Sequence, residues 1–309
     1  MFHYYKNGNY LVKINDHDGT KERITMDDNM HPDFPENIDI TISTRCNGGC
    51  DYCYMGCEKN GTHANLLCWS FWDSLQPYTE VALNGNDLTN PELEALLIKL
   101  SARHIFVNMT VNQIHFIQHF DKLLEWKCRK LIWGLGVSLK EASKQLVDKL
   151  NNFGSDAILH TIAGIITKDD IEYLSNRNIK LLILGFKPSG RGKDYYNVNR
   201  NVVDRNIDWL KQNIINIIPW FKVISFDNLA LEQLDIKKQI SNNQWNNIYM
   251  GDDGEFTFYI DLVKGTYAKN SISDEEYPIN RMNICAMFET IKTKSAVVNG
   301  KLFSIDFGI

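Results

Sequence analysis

The chain has 309 residues, enough for one large core with extensions or for two domains. A hydrophobic fraction of 44% and a charged fraction of 23% exclude disorder, collagen-like sequence and coiled coil. The net charge of −5 is too mild, and of the wrong sign, for electrostatic capture of bulk nucleic acid.

The opening run MFHYYKNGNYLVKIND lacks the charged-then-apolar pattern of a secretory signal. The longest apolar stretch, residues 131–139, is far short of the roughly 18 residues a membrane span needs. A cytoplasmic location without membrane contact is therefore expected.

Two turn signals, Asn7-Gly8 and Asp18-Gly19, separate short runs such as YLVKI and predict a β-hairpin or small meander, an N-terminal flap over residues 1–37. Pro32 and Pro35 then break the pattern. From residue 38 strands and helices alternate. Strands are expected at 38–43, 80–83, 104–111, 131–139, 156–166 and 180–186, with helices at 69–76, 91–103, 114–127, 141–153 and 168–177. Apolar strands such as KLLILGF look buried on both faces, which argues for a parallel sheet covered by helices, closing into a partial or full barrel. An amphipathic helix from 202 to about 216, a strand at 221–227, another helix and the hairpin-like GEFTFYIDLVKGTY follow. The expected division is a core over residues 38–227 and a C-terminal α/β extension over 228–309.

Cysteine placement is the most informative feature. Of seven cysteines, Cys46, Cys50, Cys53 and Cys57 crowd one short segment, whereas Cys68, Cys128 and Cys285 are scattered. A tight cluster in a large chain points to metal or redox chemistry rather than a disulfide scaffold. Cys46, Cys50 and Cys53 have the spacing C-x3-C-x2-C just after the first strand of the α/β series, where loops at strand C-termini build active sites. Closely spaced thiolates suit an iron-sulfur cluster or zinc, and Gly48 and Gly49 let the backbone wrap closely. A zinc knuckle completed by Cys57 or His63 is the non-enzymatic alternative, giving a binding module.

The run ITISTRCNGGCDYCYMGC resembles the signature of the radical S-adenosylmethionine (SAM) superfamily, with Tyr52 as the aromatic before the last cysteine. More narrowly, FPENIDITISTRC, CYMGCEKNGTHA and NMTVNQIHF are similar to a branch of that superfamily met in phages and bacteria. The resemblance implies a (β/α)6 partial TIM barrel. It also implies a [4Fe-4S] cluster on Cys46, Cys50 and Cys53, with S-adenosylmethionine chelating the fourth iron and cleaved, on one-electron reduction, to a 5′-deoxyadenosyl radical. A flavodoxin or ferredoxin would supply the electron.

Further site residues come from the same resemblance. Asn84, Gly85, Asn86 and Asp87 stand where the family has a Gly-Gly-Glu-like turn accepting the SAM amino group, although Asn84 replaces a glycine. Asn112 ends the third strand, with Gln113 where glycine is common, and Ser138 ends the fourth; both are candidates for the ribose and carboxylate of SAM. Gly185 and Phe186 resemble an adenine-contacting strand end. His160 and Thr161 lie within the fifth strand, where a lone histidine is more often a satisfied core residue than a catalyst.

Lys187, Arg191 and Lys193 form a basic, glycine-containing turn that suits a substrate carboxylate or phosphate, or is a solvated loop. The basic turn and the lack of a second cysteine cluster favour a small-molecule or nucleotide substrate. Modification of a peptide or protein, including glycyl-radical activation, is the competing reading.

Overall fold

The computed structural model describes residues 1–298 except Asp18 and Asp87, and only the backbone of Gly85, Asn86 and residues 294–298. The N-terminal part is the expected meander: β1 (Phe2–Asn7), β2 (Tyr10–Asn15) and β3 (Lys21–Ile24) pair antiparallel in that order. Its tight first turn depends on Gly8, with φ 59°, where a Cβ would stand 1.7 Å from the carbonyl oxygen of His31.

The main sheet has ten strands among the described residues. Running in chain order are β4 (Asn37–Thr41), β5 (Glu80–Asn86), β6 (Phe106–Asn112), β7 (Gly134–Ser138), β8 (Ala157–Ile162), β9 (Lys180–Leu184) and β10 (Val223–Phe226), each parallel to the next. The hairpin-like C-terminal stretch is β11 (Thr257–Asp261) and β12 (Thr266–Ala268), followed by β13 (Tyr277–Pro278). β11 lies parallel to β4, and β12 and β13 continue antiparallel beyond it.

This addition explains why the sheet does not close as a full barrel. The free edge of β4, which β10 would need, is occupied by β11, so the sheet ends at β10 on one side and β13 on the other.

Helices connect the strands. They are α1 (Leu93–Ala102), α2 (Gln113–Gln118), α3 (Phe120–Cys128), α4 (Lys144–Phe153), α5 (Lys168–Leu174) and α6 (Arg191–Ile217), then α7 (Asn228–Gln233), α8 (Ile236–Gln239), α9 (Asn242–Ile248) and α10 (Ile284–Val298). Ser143 caps α4, and Thr167 with Asp170 forms a capping box on α5.

Several expected elements differ. The helix expected at 69–76 is a short 3₁₀ turn, Ser70–Ser74, that buries Phe71 and Trp72. The helix expected at 114–127 breaks at His119 (φ −111°, ψ 25°), which lets Phe116 and Phe120 both meet Phe153 edge-on at 6.0 and 6.2 Å. α6 begins at Arg191, so Arg191 and Lys193 lie in a helical first turn rather than in a loop.

Strands expected to be buried on both faces are buried fully on one. Ile38, Ile40, Val81, Leu83, Val107, Met109, Leu135, Val137, Leu159, Leu181 and Ile183 face the helices in a continuous core. The alternate residues, among them Asp39, Asn84, Asn108, Thr110, Asn112, Ser138 and His160, form a polar, partly exposed inner face.

The N-terminal sheet packs at the strand N-termini. His3 stacks on Tyr78 at 4.5 Å, Trp133 stacks on Phe106 at 4.4 Å, and Trp133 Nε1 donates to the carbonyl of Asp16. Lys21 bridges Glu80 and Glu36, while Arg23 bonds Glu36 and lies over Phe256. One end of the inner face is thereby covered, leaving the strand C-termini as the place for a site. No helix among the described residues is long and apolar enough to cross a membrane.

Candidate functional site

After β4 the chain makes an excursion whose neck is stitched closed. Ala64 N–H donates to Ile42 O, Thr44 N–H to Thr62 O, Glu58 N–H to Thr44 O and Cys46 N–H to Glu58 O, all at 2.8 to 3.0 Å. Gly61 permits the approach, since a Cβ there would lie 2.2 Å from Thr44 O. The cysteine loop is the tip of this excursion, at the C-terminal end of the parallel sheet. Inside it Cys53 N–H donates to Cys50 O and Gly56 N–H to Cys53 O, with Gly49 and Gly56 in the left-handed region at φ 62° and 64°.

Hydrogen-bond donors are aimed at the first of the three motif thiols. Cys46 Sγ accepts from Gly48 N–H and from Asn112 Nδ2, both at 3.3 Å. Tyr52 lies beside Cys50, and Cys57 with the Met55 and Cys57 backbone lies beside Cys53, close enough to act on the charge of each sulfur. The proximity of Cys57 is the main cause that lowers the Cys53 thiol, and the same proximity raises Cys57. Burial, then the neighbouring Cys53 and Cys46 charges, pushes the Cys50 thiol up. All three are half-buried, whereas Cys57 is buried.

Asn112 uses both ends of its carboxamide. Its Oδ1 accepts from His115 N–H to cap α2, which leaves Nδ2 for the sulfur. Gly48 makes room for this contact, because a Cβ there would lie 2.8 Å from Asn112 Nδ2.

Two residues to which the sequence reading gave no role hold the neighbouring strand end. Gln113 Oε1 accepts from Lys140 and Glu141 N–H, and its Nε2 donates to Glu141 O. Lys140, placed by that clamp, donates from Nζ to Gly48 O at 3.0 Å. The only sequence signal was the unusual Gln113 itself.

Other predicted residues lie around the same rim. Asn84 Nδ2 reaches Thr41 Oγ1 at 3.3 Å, and Thr41 bonds the Tyr259 hydroxyl at 2.7 Å. A bulge lies between Asn84 and Asn86, with Gly85 inside it; Asp87 is outside the described residues. Ser138 pairs in register with Asn112 on one side and His160 on the other. Thr161 is buried on the opposite face.

Gly185 N–H donates to Asp227, and Phe186 has both N–H and C=O bonded by Gln233. Phe186 itself packs against Tyr195 and Tyr196, and Tyr52 meets Tyr195 edge-on.

The three basic residues have separate surroundings. Lys187 Nζ donates to Ser271 Oγ at 3.1 Å and lies 4.6 Å over the Tyr54 ring. Arg191 donates to backbone carbonyls of the cysteine loop, and Lys193 is exposed.

Three half-buried thiols in one loop, with two N–H donors on Cys46 Sγ, fit a group that takes thiolate ligands. Among the described residues no three His, Cys, Asp or Glu side chains are placed to hold a single metal ion. A lone zinc needs its sulfurs within about 2.3 Å of one point, whereas a four-iron cluster takes each cysteine on a different iron. His63 is engaged on both ring nitrogens, by Ser43 and Thr89.

No family model matches the chain, and no curated protein matches it. A solved structure described as native anSMEcpe with bound AdoMet and Cp18Cys peptide is similar to it at 12% identity, with a TM-score of 0.48, covering 84% of this chain and 80% of that one. A likeness of that degree does not extend to ligand or activity.

Proposed function

We propose that the chain is a radical SAM enzyme on a partial-barrel core, in which Cys46, Cys50 and Cys53 hold a [4Fe-4S] cluster and S-adenosylmethionine binds beside it. The observation that carries this reading is three half-buried thiols in a single loop at the strand C-termini, with Cys46 Sγ accepting from Gly48 N–H and Asn112 Nδ2. Held by Cys46, Cys50 and Cys53 and reduced by one electron from a donor protein, such a cluster would supply reductive cleavage of the sulfonium to methionine and a 5′-deoxyadenosyl radical, for hydrogen abstraction from the substrate.

This chain's residues bind and orient. Asn84, Asn86 and Asp87 offer acceptors to the SAM ammonium, Asn112 and Ser138 face its ribose and carboxylate, and Gly185 and Phe186 flank its adenine. Cys57 stays a protonated thiol rather than a ligand. The substrate is a small molecule or nucleotide on the polar inner face, with Lys187 available for an anionic group, and a flavodoxin or ferredoxin delivers the electron.

Anaerobic purification tests the reading. A brown protein with about four irons per chain that releases 5′-deoxyadenosine from S-adenosylmethionine and dithionite supports it. A colourless protein holding zinc would falsify it. Adding nucleotides and candidate peptides to the assay separates the two substrate classes, since the true substrate raises 5′-deoxyadenosine release.

A further inference from the structure

Arg191 sits at the head of α6 and turns its donors to the carbonyls of the cysteine loop. Its Nε and Nη2 both donate to Cys50 O at 3.1 Å, Nη1 donates to Cys57 O at 2.9 Å, and its backbone N–H donates to Cys53 O at 3.0 Å. One residue therefore ties three carbonyls distributed along the cysteine loop. The flanking residues are shaped for this approach. Gly190, at φ 51°, would place a Cβ 2.4 Å from Tyr54 O, and Gly192 is buried, its Cβ position 3.3 Å from Tyr52 O. Ser189 Oγ adds a hydrogen bond to Tyr54 O. The start of the loop is held from the other side by Lys140 on Gly48 O.

A glycine-rich loop with few internal bonds has many conformations, and fixing its backbone costs about 1–2 kcal/mol per residue. A planar guanidinium bridging two carbonyls removes much of that freedom in advance, which a flexible ammonium with a single point of charge does not. We propose that Arg191 is a positioning residue, a clasp that sets the shape of the cysteine loop before any metal arrives. Its consequence for cluster assembly rests on the reading of Cys46, Cys50 and Cys53 as ligands; the clasp itself does not.

Amide hydrogen exchange on the metal-free full chain tests the clasp directly. Arg191→Gln and Arg191→Lys should both speed exchange over residues 48–57 by about tenfold or more, while the peptides of β1–β3 and α4 exchange as in the parent. After anaerobic reconstitution both variants should hold less than roughly half the parent's iron, with an altered electron paramagnetic resonance line shape on reduction.

Unchanged exchange over 48–57 in Arg191→Gln overturns the proposal. So does an Arg191→Lys variant that matches the parent, because charge alone would then suffice, and so does uniform acceleration across the whole chain. A loosened loop in a protein whose parent takes up no iron leaves the clasp standing and removes the metal site instead.

Discussion

The imidazole of His160 on β8 fills the space beside Gly136 on β7: a Cβ on that glycine would stand 2.2 Å from His160 Cε1. Gly134 stands in the same relation to Asn108, 2.5 Å from its Oδ1. The two glycines make β7 a low floor, and polar side chains from the strands on either side lean over it. This is how a parallel sheet of large apolar residues keeps a polar inner face at its centre.

Gly136→Ala should therefore cost about 1–3 kcal/mol of stability, the usual penalty for overpacking, read from urea unfolding. Combining it with His160→Ala should recover much of that cost. Strictly additive losses in the two variants would mean that the ring and the glycine are not in contact.

Burial holds the pKa of His160 down to about 4. The unfolded histidine titrates near 6.5, so above that pH the group is neutral in both states and has no effect on stability. As pH falls from about 6.5 toward 4, the unfolded chain takes up a proton that the folded chain refuses, and stability declines by something on the order of 3 kcal/mol. His160→Gln should lose this part of the acid sensitivity. Parallel stability-against-pH curves for parent and variant would contradict it.

Cys46→Ala, Cys50→Ala and Cys53→Ala should each abolish S-adenosylmethionine cleavage in the anaerobic assay, because a ligand is removed from the cluster. Cys57→Ala should keep measurable cleavage, since Cys57 lies outside the C-x3-C-x2-C set. Full cleavage by any of the first three refutes the ligand assignment.

At the opposite end of the inner face, Glu36 is only 1% exposed and is bonded by Arg23 and the Tyr10 hydroxyl. Arg23→Leu removes the closest counter-charge and the cation over Phe256, leaving Lys21 at 3.4 Å. Breaking a buried pair from one side costs about 3–5 kcal/mol, and the remaining lysine puts the expected loss near the lower figure. Thermal and urea unfolding would read it; a change below about 0.5 kcal/mol would mean that the pair is solvated.

The alternation of apolar strands and amphipathic helices between residues 38 and 186 was legible because its periodicity is local, and so were the Asn7-Gly8 turn and the spacing of Cys46, Cys50 and Cys53. Lys140 and Gln113 were not legible as loop supports, since their partners lie across strands distant in sequence. Arg191 reads locally as a cation in a glycine-containing turn, which suits an anion. Only in the fold does the first turn of α6 come against the cysteine loop, where carbonyl oxygens take its donors.

By itself, then, the sequence determined which segments become strands and helices and which sulfurs share a loop, because backbone propensity, hydrophobic period and covalent spacing act over a few residues. The tertiary structure alone decided that β11 occupies the edge of β4 and keeps the sheet open, that β7 offers a floor of glycines to His160, and that a cation holds the loop rather than a ligand. Those outcomes depend on which unpaired edges, spaces and carbonyls meet when distant segments pack, and no local pattern encodes that.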